Sequence, residues 1–355
     1  MRPLHFVVPD GIDDPARPSG GNTYDRNLCR ELTSLGWSVH EHPVSGFWSE
    51  PDAASFAGLD AAMWRIPDGG LAVLDGLVAS PSPHVLVPHA GRLRLVVLVH
   101  MPLGLRLEAG EAGDVCTRER AVLSAADAVV ATSGWSRDRL VELYALPANR
   151  LHVAEPGVRP AELATGTATG EALLTVAAVI PDKGHDVLLD ALARIVDLSW
   201  HWACVGSLDR DPHFVEALRR CSRERGLAGR VRFAGTATSA DLGRAYAEAD
   251  VMVLASHAET YGMVVTEALA RGVPVIATEV GGVTEALGRG SDGTQPGLVV
   301  PADDPPALAG ALRSWLTDAA LRARLRRRAR DRRESLRGWS ATTSVMAGVV
   351  TELER

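Results

Sequence analysis

The strongest constraint on this chain is a grammar repeated in both halves: an apolar run, a loop bearing glycine, then an amphipathic stretch at helical spacing. In the first half, residues 4–9 (LHFVVP) lead through Ser19-Gly20-Gly21 into a helix expected over about residues 22–35. Leu28, Leu32 and Leu35 share one face of it, and Gly36 stops it. Further strands are expected at 37–44, at 92–100 (ending on His100) and at 126–133, with a helix at 136–144. The second half reads as strands at 173–180, 200–206, 230–235, 251–256, 274–278 and 297–301. Helices are expected around 185–196, 212–226, 239–247, 263–271, 282–287, 305–334 and 341–353. Strands alternating with helices at this spacing imply parallel sheets with right-handed crossovers, hence an α/β chain with two Rossmann-like domains.

Residues 159–170 lose all periodicity and are rich in Ala, Thr and Gly, the composition of an interdomain linker. The expected division is 1–160, 171–335 and a terminal helical piece, 338–355. A length of 355 residues suits two cores of ordinary size.

The formal charge of −7 offers no global positive field, so no nucleic-acid partner is expected. Cys29, Cys116, Cys204 and Cys221 are widely spaced and form no zinc pattern, which points to a reducing compartment. The apolar run 93–107 is broken by Arg94, His100, Pro102 and Arg106, and no leader precedes residue 4. A cytoplasmic location is therefore the expectation. The basic run 322–333 has Leu321 and Leu325 interleaved and no aromatic platform, so it is expected as a solvated helix face and not as a membrane surface. Of the 37 basic residues only Lys183 is a lysine, so a compact ammonium is wanted where a guanidinium would otherwise do.

The densest chemistry lies in residues 257–287, HAETYGMVVTEALARGVPVIATEVGGVTEAL. A buried strand ends at Ser256, a polar loop bears Glu259, and a helix begins near Gly262 with Glu267 inside it. Gly262 allows close backbone approach to a ligand, and the amides of Met263 and Val264 offer an anion site. Two carboxylates would repel a bare phosphate, but they suit a ligand carrying both hydroxyls and phosphate. The alternative is that Glu259 caps the helix and Glu267 lies on a solvated face. No paired acidic motif ends a strand beside a polar loop, and Asp303-Asp304 reads as a helix cap, so no catalytic metal is expected.

The spacing E-x7-E from Glu259 to Glu267, with ARGVPVIAT-x-x-GG-x-x-E after it, resembles the retaining glycosyltransferases of the GT-B fold, family 4. The resemblance implies that Glu259 binds the transferred sugar and that Glu267 holds the ribose. Turn residues Thr260, Tyr261, Gly262, Met263 and Val264 would contact sugar and diphosphate, and Lys183, in Pro-Asp-Lys-Gly, would neutralise the diphosphate. It implies further that Gly20 and Gly21 reach the donor phosphate across a cleft between the domains, that His100 faces the donor sugar, and that the last helix crosses back to the first domain. His100, Lys183 and Glu259 are the expected catalytic groups. The chain departs from the family at Ala177-Ala178, where a Gly-Arg pair is usual, so one phosphate-binding cation is missing there. The nucleotide sugar is a substrate and no cofactor is implied; UDP is the family's commonest donor nucleotide. The acceptor is a small molecule or glycan that loops 45–60 and 104–114 do not spell out. Competing readings are a nucleotide-sugar epimerase, a phosphorylase with a Schiff base on Lys183, or a non-catalytic partner subunit of the same fold.

Overall fold

The computed structural model describes residues 2–14, 18–48, 50–105 and 112–354. They form two compact units. One comprises the residues up to Asp14, Ser19 to Gly157 and the chain from Trp339 onward; the other runs from Val158 to Gly338.

In the first unit the order is β1 (Arg2–Pro9), α1 (Gly20–Ser34), β2 (Trp37–Val44), α2 (Ala53–Trp64), β3 (Leu71–Asp75), α3 (Gly76–Ala79) and α4 (Pro83–His89). It continues with β4 (Arg94–Val99), α5 (Ala112–Ala125), β5 (Ala128–Ala131), α6 (Gly134–Tyr144) and β6 (Leu151–Val153). All six strands are parallel, in the order β2-β1-β3-β4-β5-β6. Leu95 to Val99 are buried on both faces, which is why β4 reads as an unbroken apolar run. β3 is missing from the sequence expectations for the same reason: five buried residues carry no alternation that separates strand from helix. α2 fills part of the stretch expected as an irregular loop at 45–60, with Asp52 as its N-cap. Residue 49 and residues 106–111 of the second such loop lie outside the described residues.

The second unit runs β7 (Ala172–Val176), α7 (His185–Ala193), β8 (His201–Val205), α8 (Pro212–Glu224), β9 (Val231–Gly235), α9 (Ser239–Glu248), β10 (Val251–Leu254) and α10 (Met263–Leu269). It continues with β11 (Val275–Thr278), α11 (Val283–Leu287), β12 (Gly297–Val300), α12 (Pro305–Thr317) and α13 (Ala319–Glu334). The sheet is again parallel, in the order β12-β11-β10-β7-β8-β9. Its core holds three fully buried tryptophans whose indole N–H groups are all satisfied. Trp200 donates to the Ile195 carbonyl, Trp202 to Thr175 Oγ1 and Trp315 to the Gly170 carbonyl. The final helix, α14 (Trp339–Leu353), packs on α1, with the Trp339 ring 5.4 Å from that of Tyr24. No helix among the described residues is long and apolar enough to cross a membrane.

Three local expectations change. Residues 159–170 are not a free linker: Ala164 N donates to the Arg271 carbonyl, and Thr165 and Gly166 N donate to that of Ala247. The helix expected over 305–334 is two helices, because Asp318 ends α12 and its carboxylate caps α13 through Leu321 N. The basic run on α13 is mostly engaged and not simply solvated. Arg322 donates to the carbonyls of Trp315 and Leu316, Arg332 to that of Leu287, and Arg333 to those of Ala270 and Ala161. Apart from that of Ala161, these carbonyls lie at the carboxyl ends of α12, α11 and α10, where a cation meets both unpaired oxygens and the negative end of the helix dipole.

Arg326 serves differently, pairing with the fully buried Asp250 at 2.5 Å. Asp250 also accepts from Thr167 N at 2.7 Å and from Ala172 N at 3.0 Å, so one carboxylate ties the 159–170 segment to β7 and α13. Asp250→Ala is expected to destabilise the second unit by about 3 kcal/mol, since it strands a guanidinium and two amides. Calorimetric unfolding reads this directly; an unchanged transition would show that Asp250 is not the anchor.

Candidate functional site

Strand order reverses between β7 and β10 in the second sheet and between β1 and β3 in the first. In open parallel sheets the carboxyl ends of strands flanking such a reversal splay their loops apart and leave a crevice for ligands. In each unit, the site residues expected from sequence fall at these edges.

In the second unit, β7 runs on to a single turn, Pro181–Lys183, and β10 runs on to the loop bearing Glu259. Lys183 Nζ donates to Glu259 Oε1 at 2.6 Å, and Ser256 Oγ donates to the same oxygen at 2.9 Å. The two side chains are only 22% and 12% exposed, so the pair is partly shielded from water. Glu259 does not cap α10: its N-cap is Gly262, at φ +87°, which provides no side-chain bond.

Glycines set the spacing of these loops. A Cβ on Gly184 would lie 1.9 Å from the Ala255 carbonyl oxygen, and one on Gly281 would lie 1.6 Å from that of Glu259. A Cβ on Gly282 would lie 2.2 Å from the Thr260 oxygen, while Gly282 N donates to the Glu259 carbonyl at 3.0 Å. Gly184 and Gly281 also have φ of +59° and +53°, a region costly for other residues. Three backbones therefore touch with no side chain between them, and His257 N closes the arrangement by donating to the Asp182 carbonyl at 2.9 Å.

Helix starts in this unit fall into two groups. Those of α8, α9, α12 and α13 are capped by the side chains of Asp211, Thr238, Asp304 and Asp318. Those of α7, α10 and α11, beside the reversal point, begin at Gly184, Gly262 and Gly282 with no side-chain cap. Asp304 caps α12 as its sequence position indicates. The uncapped starts leave first-turn amides without a side-chain cap, although Asp186 in α7 and Glu285 in α11 place a carboxylate in the first turn; α10 has none there.

Glu267, inside α10, is half-buried and not on a solvated face. Tyr246 OH donates to its Oε2 at 2.9 Å, and the Arg271 guanidinium sits 4.4 Å over the Tyr246 ring. Burial pushes the Glu267 carboxyl up from its ordinary range, against the opposing pull of the Tyr246 bond and the Arg271 charge. Thr260, Met263 and Val264 are half-buried along the turn, whereas the Tyr261 ring is buried. Tyr246 and Ser256 were not foreseen; each is polar, sits in an otherwise apolar stretch and carries no spacing signal of its own.

In the first unit, Gly20 and Gly21 are the opening turn of α1, with Ser19 Oγ accepting from Asn22 N. A Cβ on Gly21 would lie 3.1 Å from His100 Cδ2, so the bare backbone leaves room for the imidazole. His100, one residue past β4, places Nε2 2.8 Å from Asp25 Oδ1 on α1. Asp75 ends β3, and ligand atoms of Asp25, Asp75 and His100 all lie within 4.8 Å of one another. Both carboxyl groups are buried, and Asp25 Oδ2 has no hydrogen-bond donor. Burial alone would lower the His100 pKa, but the carboxylate of Asp25, helped by Asp75, raises it to about 9. Burial and the Asp25 charge push Asp75 up to about 7. The histidine nitrogen thus faces the Asp25 carboxylate. Neither aspartate was foreseen, since Asp25 reads as one polar position of an amphipathic helix and Asp75 ends an unrecognised strand. Lys183, Glu259, the 260–264 turn and Glu267 belong to one unit; Gly20, Gly21 and His100 belong to the other.

The model of the family described as glycosyl transferases group 1 matches residues 166–332. A D-inositol 3-phosphate glycosyltransferase of Thermobispora bispora is 34% identical over 276 residues, covering 71% of this chain and 63% of that protein. The protein of the same name from Kineococcus radiotolerans is 32% identical over 247 residues, covering 63% of this chain and 57% of that one. The chain thus spans less than two thirds of the length of these curated relatives. Among solved structures, a sucrose-phosphate synthase from Thermosynechococcus elongatus superposes with a TM-score of 0.81 at 23% identity, over 99% of both chains. HepE from Anabaena, in complex with UDP-glucose, superposes with a TM-score of 0.78 at 18% identity, over 99% of this chain and 100% of that one. The chain belongs to the group 1 glycosyltransferases and has their GT-B architecture of two Rossmann-like domains.

Proposed function

We propose that this chain takes a sugar from a nucleoside diphosphate and passes it to an acceptor hydroxyl with retention at the anomeric carbon. The observation that carries the reading is the Lys183–Glu259 pair at the strand reversal point, flanked by three helix starts without side-chain caps. A nucleotide sugar presents a diphosphate and hydroxyls side by side. The diphosphate matches the ammonium and the open amides, and the hydroxyls match the carboxylates of Glu259 and Glu267. On donor binding, Lys183 would shift from Glu259 to the diphosphate, freeing Glu259 Oε1 for a sugar hydroxyl. The bond from the anomeric carbon to the diphosphate oxygen breaks as the bond to the acceptor oxygen forms on the same face. The acceptor proton passes to the departing diphosphate, so no protein nucleophile is required. Lys183 and the helix ends stabilise the growing negative charge, so the step needs no metal.

UDP is the proposed nucleotide, on the family resemblance and on HepE having been captured with UDP-glucose. D-inositol 3-phosphate, named in the curated relatives, is the first acceptor to try. The phosphorylase alternative is disfavoured by the same geometry. Lys183 stands directly before the uncapped start of α7, a setting for a phosphate counter-ion more than for a Schiff base. Intact Lys183, Glu259 and Glu267 likewise speak against a non-catalytic subunit.

Thermal-shift measurements with UDP, GDP, ADP and dTDP test the donor site, because a ligand of the native state alone raises Tm. UDP is expected to raise Tm for the wild type and much less for Glu267→Ala; a shift unaltered in the variant would remove Glu267 from the nucleotide site. Lys183→Ala is expected to lower kcat by roughly 100-fold or more, since the Arg usual at Ala178 is absent to share its load. Near-normal turnover would contradict its role at the leaving group.

A further inference from the structure

The buried trio in the first unit presents a charge problem that the transfer reading leaves open. Two carboxyl groups, Asp25 on α1 and Asp75 at the end of β3, lie out of water, and among the described residues no arginine or lysine partners them. Such groups persist only if protons or a cation answer them. Their surroundings are few. α1 contributes Asp25 and the buried Tyr24, whose ring meets that of His100 edge-on at 5.2 Å, while its OH is spent on the Ala154 carbonyl. β3 contributes Asp75, whose Oδ1 accepts from Leu77 N at 2.8 Å. The end of β4 contributes His100 itself. α14 reaches this corner through Trp339, which does not titrate. Among the described residues His100 is the one cationic group that these carboxyl groups meet, and its Nε2 is already on Asp25.

We propose that Asp25 and Asp75 are positioning residues that clamp His100 at Nε2 and hold it as an imidazolium, so that its Nδ1–H serves as a fixed donor to a ligand at the carboxyl edge of the first sheet. The ring makes no bond at Nδ1 among the described residues, and the side chain remains 19% exposed. Asp75 in its protonated form can donate to Asp25 Oδ2, the oxygen otherwise left without a donor. Gly21 contributes by omission, because a side chain there would press on the ring. His100 then donates throughout turnover and does not accept the acceptor proton, in keeping with a reaction in which the leaving diphosphate takes it. This role in transfer rests on the function proposed above; the clamp does not.

The linkage has a definite sign. Asp75 is raised to about 7 in the folded chain from its ordinary 3.8, so the folded state binds the extra proton between those limits. Its contribution to stability is full below the lower value and declines as pH rises toward the upper. His100 is raised from 6.5 to about 9, and its contribution is likewise lost as pH climbs through that window.

The test is an NMR titration of histidine-labelled full-length protein without substrate, with the His100 signal assigned from His100→Gln. In the wild type His100 is expected to stay protonated through pH 8. In Asp25→Asn it is expected to titrate below pH 7, and in Asp75→Asn, which mimics the protonated acid, at an intermediate value. A wild-type midpoint near the ordinary histidine range, or an unshifted one in both variants, would overturn the clamp. Should Asp25→Asn fail to fold, Asp75→Asn still decides. In the transfer assay the wild type is expected to hold its rate above pH 7, while Asp25→Asn loses rate there and recovers it in acid as His100 regains its proton. Parallel profiles would overturn the role in transfer. A protonated His100 together with no transfer from any nucleotide sugar would support the clamp and overturn the proposed function.

Discussion

The second unit depends on bare backbone contact. Gly184, Gly281 and Gly282 bring the loops after β7, β10 and β11 within a distance that no side chain would permit. That contact puts Lys183 against Glu259 and keeps the helix starts of α7, α10 and α11 beside them. A methyl group at Gly281 would meet the Glu259 carbonyl and also force an L-residue into left-handed backbone, so the geometry allows one residue type. The ion pair and the hydroxyl from Ser256 then orient the Glu259 carboxylate on a frame that is already fixed.

Behind this frame stands α13, and its arginines show why a charge run is a poor guide to exposure. Arg322, Arg332 and Arg333 answer the carboxyl ends of three helices, and Arg326 answers Asp250. Each guanidinium reaches its partner on a long apolar stem while the helix itself stays near the surface. Helices α10 and α11 are thus held at their carboxyl ends by α13, while their amino ends carry no side-chain cap.

Much of this was legible in the sequence, and the exceptions have physical causes. The E-x7-E spacing, Pro-Asp-Lys-Gly and Gly281-Gly282 stand out because glycine and charge are scarce inside buried strands, and those residues lie together at one sheet edge. Both sheets could be read from period and length, except for β3, which buries every residue, and β6, which is only three residues long. The polar partners were not readable. Tyr246, Asp25 and Asp75 act through contacts made across long stretches of chain, and nothing local distinguishes a buried aspartate from one on a wet helix face. The 159–170 segment misled for a related reason. Its composition is that of a flexible linker, yet Asp250 and the Ala247 carbonyl, supplied from some 80 residues away along the chain, hold it in place.

The central claim is that the nucleotide diphosphate binds where β7 and β10 part, and hydrogen exchange on the full-length protein tests it most directly. The second unit offers a rival location, a cavity of about 330 Å³ at the opposite ends of the strands, lined by Leu173, His201, Trp202, Arg230 and Glu248. Adding UDP is expected to slow exchange in residues 181–187, 256–267 and 280–285, with little change at 200–203 and 229–232. Protection centred on the second pair of segments, or spread over neither site, would contradict the account.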